Sequence, residues 1–351
     1  MSVATQQSSV PVMATSYQPR PIGGSFKGRH IVSVEQFARA DLDDLFRTAA
    51  NLRSRVSAGD KTVFKLCQRN VMATLFFEAS TRTDMSFQAA MIRLGGEVIA
   101  TSGGVQFSSV YKGENLADTV RAAGAYADVI VLRHPDVRSS FEAAYSLDQL
   151  ASRLGTAPVV ISAGDGIGEH PTQALLDLFT IIDRQHSEDE LTITLVGDLA
   201  NGRTVHSLAK LLALYGARAR LVFVSPDELR APRQILDFAR LRGLEVEETG
   251  TLEGVIEESD VIYWTRVQQE RFEDEGAYAA IADRFIMTPA LLDRAPADAI
   301  LMHPLPRRHE MGTTADHAKL DADPRSVYFH QMQNGMFVRM ALLAGVLGAN
   351  G

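Results

Sequence analysis

The sequence predicts an α/β protein built from two doubly wound parallel-sheet domains. Three observations carry this. From about residue 71 onward, short runs rich in β-branched residues alternate with longer amphipathic ones, the pattern of parallel strands covered on both faces by helices. The length, 351 residues, accommodates about two domains. A long helical pattern over 171–184 is followed by the polar run RQHSEDE, the best place to divide the chain.

The first 26 residues are rich in Ser, Thr, Gln and Pro, and no acid precedes Glu35. A transit peptide can look like this, but the stretch holds a single Arg, Arg20, so a disordered tail over 1–27 is the expectation. Strands are expected at VMATLFF (71–77), EVIAT (97–101), DVIVLR (128–133), PVVISA (158–163), LTITLVGD (191–198), ARLVFVS (219–225), LEVEET (244–249), DVIYWTR (260–266) and AILMHPL (299–305). Helices are expected in TDMSFQAAMIRLG, ending on Gly95, in HPTQALLDLFTIIDR, with Pro171 at a first helical position, and in RTVHSLAKLLALYG, ending on Gly216.

Composition narrows the function. The chain is 46% hydrophobic and 22% charged, with net charge -8, which argues against a general nucleic-acid surface and leaves room for a local basic pocket. Cys67 is the single cysteine, so neither an internal disulfide nor a Cys-based metal cluster is possible, and a reducing compartment is expected. No apolar run approaches the ~20 residues that span a bilayer. No HExxH, Walker or Cys/His metal spacing occurs, and no cofactor is expected.

Ligands in such sheets bind beyond the carboxyl ends of the strands, so the motifs there matter most. At Ser80, Thr81, Arg82 and Thr83, a strand runs into a helix. Unpaired N–H groups, the positive end of the helix dipole, three hydroxyls and a guanidinium make an anion site that suits phosphate. A plain N-cap needs only one hydroxyl. SSVYKGENLADT (108–119) carries Lys112 and reads either as a mobile lid bringing a cation or as a solvated loop. GDGIGEHPTQ (164–173) fails the dinucleotide pattern, because Glu169 stands where Gly is required. It leaves His170 at a helix start with Gln173 near it, as a donor or as a cap. Arg203 and Arg266 sit at two strand ends, the latter with Gln268 nearby. Two such guanidiniums suit a dicarboxylate, each gripping one carboxylate; surface arginines are the plainer alternative. In HPLPR (303–307) the prolines lack N–H groups, so the turn offers carbonyls that can hold an amine, or is a simple Pro-rich turn.

Together, FFEASTRTDMSF, SSVYKGENLADT, VLRHP, AGDGIGEHPTQALLDLFTI, VGDLANGRTVHSL, DVIYWTRVQQERF, MHPLPR and YFHQMQNGMFVRMALL resemble the catalytic chains of the aspartate carbamoyltransferase family, from about Gly28 to the C-terminus. The related ornithine enzymes typically have Cys in place of Thr172 and HCLP where this chain has His303-Pro304-Leu305-Pro306. GEHPTQ is similar to forms found within eukaryotic multifunctional chains.

The resemblance implies a carbamoyl phosphate domain over 28–183 with a C-terminal helix (330–351), and an aspartate domain over 184–329, linked by the long helix. It implies that Ser80, Thr81, Arg82 and Thr83 hold carbamoyl phosphate, with Arg133, His170 and Gln173 at the carbamoyl end. Ser108 and Lys112 would reach in from the neighbouring subunit of a homotrimer with shared active sites. Arg203, Arg266 and Gln268 would hold L-aspartate, and backbone carbonyls at Pro304 and Leu305 its amine, with a cis bond before Pro306. The amine would attack the carbamoyl carbon with no metal and no covalent intermediate. Arg82, Thr83, Lys112, Arg133 and His170 would be catalytic. The product would feed de novo pyrimidine synthesis in the cytoplasm, with regulatory chains or pathway enzymes as further partners. An ornithine or other amine-specific carbamoyltransferase is one alternative, and a non-catalytic scaffold of a pyrimidine-synthesis complex is another.

Overall fold

The computed structural model describes residues 16–101, 113–155, 157–185, 190–267 and 284–349. All nine expected strands are present, each within a few residues of its expected bounds: β1 Val71–Phe76, β2 Glu97–Ala100, β3 Val129–His134, β4 Val159–Asp165, β5 Thr192–Val196, β6 Arg220–Val224, β7 Glu245–Thr249, β8 Val261–Trp264 and β9 Ile300–Met302. The helices are α1 Arg39–Ser57, α2 Thr81–Arg93, α3 Leu116–Gly124, α4 Ser139–Leu154, α5 Pro171–Gln185, α6 Arg203–Tyr215, α7 Arg233–Leu241, α8 Pro289–Leu292, α9 Thr314–Ala322 and α10 Tyr328–Leu347. The strands form two sheets, ordered β2-β1-β3-β4 and β7-β6-β5-β8-β9, and every pairing is parallel. This is the expected pair of doubly wound sheets.

The chain divides into two compact units. One comprises the N-terminal stretch to Gln36, Leu52–Glu169 and the C-terminal stretch from Met340; the other comprises Phe37–Asn51 and His170–Arg339. The division falls at Glu169/His170 rather than in the polar run after α5, because α5 packs on α6.

In the first unit, one face of the sheet packs on a helix to make this part of the core. Ala73, Leu75, Ile130, Leu132 and Val160 pack against Ala143, Ala144 and Leu147 of α4. Each fully buried Leu or Ile stabilises the fold by roughly 1.5–3 kcal/mol. Gly95 closes α2 at φ +83°, and a Cβ there would fall 1.7 Å from the Phe64 carbonyl oxygen, so only glycine fits the expected stop.

Residues 16–27, expected within a disordered tail, are held at a few points while most of them stay exposed. Ile22 is fully buried and its N–H donates to the Gln36 carbonyl at 3.0 Å. The Tyr17 hydroxyl donates to Asp148 at 2.9 Å. Ile31 then bridges Ile161 of β4 in parallel. The Gln36 side chain holds this stretch from within: its amide donates to the Arg20 and His30 carbonyls and accepts from the Val32 and Ser33 N–H groups. Ser and Pro kept the segment polar in composition, while one Ile and one Gln anchor it.

In the second unit, Val196, Val222, Val224, Ile262, Trp264, Leu301 and Tyr328 form the core. The outer strand β7 carries Glu245, Glu247 and Glu248; charges on an edge strand discourage pairing with another chain. Arg220 of the neighbouring β6 pairs with Glu247 at 2.7 Å.

Candidate active site

The first unit gathers a corner whose groups suit an anion. β1 runs into a short turn and α2 begins at Thr81. Ser80 stands at the N-cap position, yet its side chain makes no capping hydrogen bond, so its hydroxyl is not spent as a cap. Thr81 and Arg82 are exposed and Thr83 is buried. Partial desolvation pulls the Arg82 guanidinium below its ordinary pKa. The free N–H groups of the first turn and the dipole face the same corner.

Arg133 lies beside it. Phe76 of β1 pairs with Arg133 of β3, so both strands end at one sheet edge. On its other side β3 loses register with β4 between Leu132 and His134, an irregularity of the kind that re-aims a side chain. Arg133 Nη2 sits 2.8 Å from Glu78 and its Nη1 donates to the Ala163 carbonyl at 3.3 Å. Glu78 was not singled out in the sequence. Its place directly after the apolar run of β1, across from an arginine on a neighbouring strand, was the available signal.

The second unit gathers a different set. His170 precedes Pro171 at the start of α5 and is buried; its N–H donates to the Ser207 hydroxyl at 3.1 Å. Gln173 follows in the first turn, its amide donating to Asp177 at 2.9 Å. Thr172 is fully buried.

Three adjacent strands, β5, β8 and β9, deliver the remaining residues at their carboxyl ends. After β5 the chain turns at Gly197, where φ is +119° and a Cβ would meet the Thr265 carbonyl oxygen at 2.2 Å. This close approach ties the ends of β5 and β8 together; Thr265 N–H also donates to the Val196 carbonyl at 2.8 Å. Buried Asp198 accepts from the Asn201 N–H at 3.0 Å and shapes the loop that leads to Arg203, the first residue of α6. Arg266 follows β8 after Thr265, and both arginines are half-buried.

Beyond β9 comes the His303-Pro304-Leu305-Pro306 turn. The Leu305–Pro306 bond is cis, as expected, and Leu305 has φ +56°. His303 Nδ1 accepts the Leu305 N–H at 2.8 Å. The ring proton therefore sits on Nε2, which faces Glu310 at 3.1 Å. Burial pushes the Glu310 carboxyl up, but the hydrogen bonds from His303 Nε2 and the Arg308 N–H outweigh it and hold it below the usual range. A buried, held histidine thus braces the turn whose carbonyls were expected to take an amine.

Ser108, Lys112 and Gln268 lie outside the described residues. Among the described residues, no group of three or more His, Cys, Asp or Glu is arranged to hold a metal ion, and no helix is long and apolar enough to cross a membrane.

Comparison with known proteins gives these corners a context. Two family models match: the aspartate/ornithine carbamoyltransferase carbamoyl-P binding domain over residues 29–183, and the Asp/Orn binding domain of the same family over 189–346. The aspartate carbamoyltransferase catalytic subunit of Methanococcoides burtonii is 45% identical over 325 residues, covering 93% of this chain and 99% of that one. The multifunctional protein CAD of Squalus acanthias is 47% identical over 323 residues, 92% of this chain. This chain spans only 14% of the length of that relative and of similar multifunctional ones. The crystal structure of aspartate transcarbamoylase from Trypanosoma cruzi in complex with carbamoyl aspartate and phosphate superposes with TM-score 0.82 at 43% identity, over 94% of this chain and 99% of that one. With both halves matched in order and nearly half the residues shared, the chain belongs to the aspartate/ornithine carbamoyltransferase family.

Proposed function

We propose that this chain transfers the carbamoyl group of carbamoyl phosphate to the amine of L-aspartate, giving N-carbamoyl-L-aspartate and phosphate, an early step of de novo pyrimidine synthesis. The observation that carries the choice of acceptor is the pair Arg203 and Arg266, carried on the segments that follow the adjacent strands β5 and β8, with the HPLP turn following the next strand, β9. Two guanidiniums suit two carboxylates. An ornithine side chain would bring an ammonium toward the same cations.

The roles follow. Ser80, Thr81, Arg82 and Thr83 hold the phosphate, with Arg133, His170 and Gln173 on the carbamoyl group. Arg203, Arg266 and Gln268 hold the aspartate carboxylates, and the carbonyls at Pro304 and Leu305 hold the amine. The amine attacks the carbamoyl carbon, forming the C–N bond and a tetrahedral oxyanion. Arg133, His170 and Thr83 donate to that oxygen, where charge develops. The C–O bond to phosphate then breaks, Arg82 and Lys112 balance the departing charge, and the surplus amine proton leaves with phosphate or to water. Ser108 and Lys112 belong to the neighbouring subunit's site in a homotrimer. By substrate, residues 28–183 with 330–351 serve carbamoyl phosphate and 184–329 serve aspartate. We place the protein in the cytoplasm, with pathway enzymes or regulatory chains as further partners.

Two neighbours support this reading: the T. cruzi enzyme has been crystallised with carbamoyl phosphate and aspartate together, and also with N-(phosphonacetyl)-L-aspartic acid. The test is phosphate release from carbamoyl phosphate in the presence of a chelator, with L-aspartate compared against L-ornithine. Release with aspartate alone is expected. Release with ornithine alone, or loss of activity to the chelator that added metal restores, would overturn the reading.

A further inference from the structure

A buried chain of hydrogen bonds runs through the second unit. Gln173 Nε2, in the first turn of α5, donates to Asp177 Oδ1 at 2.9 Å. Asp177 is fully buried. It also accepts from the Tyr263 hydroxyl of β8 at 2.8 Å through Oδ2, and from Gln331 Nε2 of α10 at 2.6 Å through Oδ1. The other end of the Gln331 amide accepts the His303 N–H at 3.0 Å, and His303 Nδ1 accepts the Leu305 N–H at 2.8 Å. The amide orientation of Gln331 is forced: a backbone N–H can only donate, so Oε1 faces His303 and Nε2 faces the carboxylate. The path Gln173–Asp177–Gln331–His303–Leu305 is unbroken, and all its members belong to one compact unit.

Two features set this path apart from ordinary core satisfaction. Apolar residues of similar volume often serve stability as well as or better than a buried carboxylate with its partners, so a fully connected polar chain calls for another reason. Its far end also meets a backbone held in an uncommon conformation, Leu305 at φ +56°, which persists only where the surroundings over-determine it.

We propose that Asp177 and Gln331 are positioning residues that hold the first turn of α5 in register with the His303–Leu305 turn, so that Gln173 and the Leu305 carbonyl are set by one bridge. This rests on the reading above, which gives Gln173 to the carbamoyl group and Leu305 to the aspartate amine. The path brings the two groups that meet the reacting atoms under common control: a displacement at either end is passed to the other through the shared Asp177 Oδ1 and one amide.

The test compares Gln331→Met, which removes both links while filling the space, with Asn334→Leu. Asn334 lies one turn along the same helix, is equally buried, and hydrogen-bonds Thr180 of α5 at 3.2 Å, away from the site. Two readouts are taken on the full-length protein. The first is amide hydrogen exchange of a peptide covering 303–308, which needs no catalysis. Gln331→Met should speed it by at least about 10-fold and Asn334→Leu should not change it, because only the former cuts the bridge. The second is steady-state kinetics: Gln331→Met should lower kcat by ~10- to 100-fold and raise KM for aspartate, the scale of a small misplacement, while Asn334→Leu leaves both unchanged. If Gln331→Met does not fold, Gln331→Asn, one methylene too short to span both partners, takes its place. Unchanged exchange at the turn, or equal acceleration in both variants, overturns the bridge. Faster exchange with unchanged kcat and KM overturns the positioning role. If the wild-type protein releases no phosphate with aspartate, the functional reading falls and the exchange measurement still decides the bridge.

Discussion

Single side chains carry the separation of roles. Arg82 faces the anion corner without helping to hold the fold, since it is exposed at a helix start. Arg82→Ala should lower kcat by at least ~10²-fold, the usual loss for one preorganised donor to developing charge, with the thermal midpoint nearly unchanged; near-normal turnover would remove the phosphate-cradle assignment. Arg266→Ala should raise KM for aspartate strongly and leave equilibrium binding of carbamoyl phosphate nearly intact; calorimetry showing equal loss for both ligands contradicts it. Asp177 offers a test through pH. Burial pushes its carboxyl up to about 7, against the pull of Gln331, Tyr263, Gln173 and the charge of Arg339. Its folded pKa is raised, so between about pH 4 and 7 the native state binds a proton that the unfolded chain has lost, and stability falls as pH rises through that window. Asp177→Asn should flatten this slope in urea titrations at several pH values; an unchanged slope would exclude Asp177 as its source.

Elements place those side chains, and here the sequence was most informative. Short β-branched runs identified the strands because parallel strands are buried on both faces and read as continuous apolar stretches. The arginines and hydroxyls stood out because they follow such runs directly, where no core packing requires them. Less visible were the supports. Glu78, Glu310, Tyr263 and Gln331 act across elements, and a contact made by folding leaves no spacing to read; the exception is Gln173 with Asp177, four apart on one helix and so on one face. The approach of β5 to β8 was also hidden. Gly197→Ala should put a Cβ into the Thr265 carbonyl at an unfavourable φ. The expected outcome is a lower thermal midpoint together with weakened aspartate use, since Arg203 and Arg266 both follow that contact; a variant with wild-type KM for aspartate would show that the contact does not set their spacing.

At the scale of the whole molecule, the proposed homotrimer makes a sharp prediction. Arg82→Ala chains keep a good Lys112 loop and lose their own pocket; Lys112→Ala chains do the reverse. Each pure trimer lacks a complete site. A mixed trimer of either composition has one interface where an intact loop meets an intact pocket. Unfolding and refolding the two inactive proteins together should therefore restore roughly a third of normal activity per mixed trimer, if the sites act independently. Mixed trimers that are isolated and remain inactive would place Lys112 and Arg82 in one subunit's site. The polar run after α5 lies where the two family models divide, between residues 183 and 189. The contacts divide earlier, at Glu169/His170, because the buried face of α5 packs on α6, and such a contact leaves no spacing to read.

The first unit is stitched from distant parts of the chain. The Gly28 N–H donates to the Val346 carbonyl at 2.9 Å, and Gly345 lies against Phe26, where a Cβ would come within 2.9 Å of it. During synthesis the N-terminal end emerges first, but this seam cannot close until residues beyond Met340 have left the ribosome. The second unit's sheet ends at Met302 and can pair before then. Sealing the first unit waits on a contact of very long sequence separation, of the kind that slows folding. A stop codon near residue 340 would thus strike the half of the molecule that contains Arg82, although that residue was made far earlier.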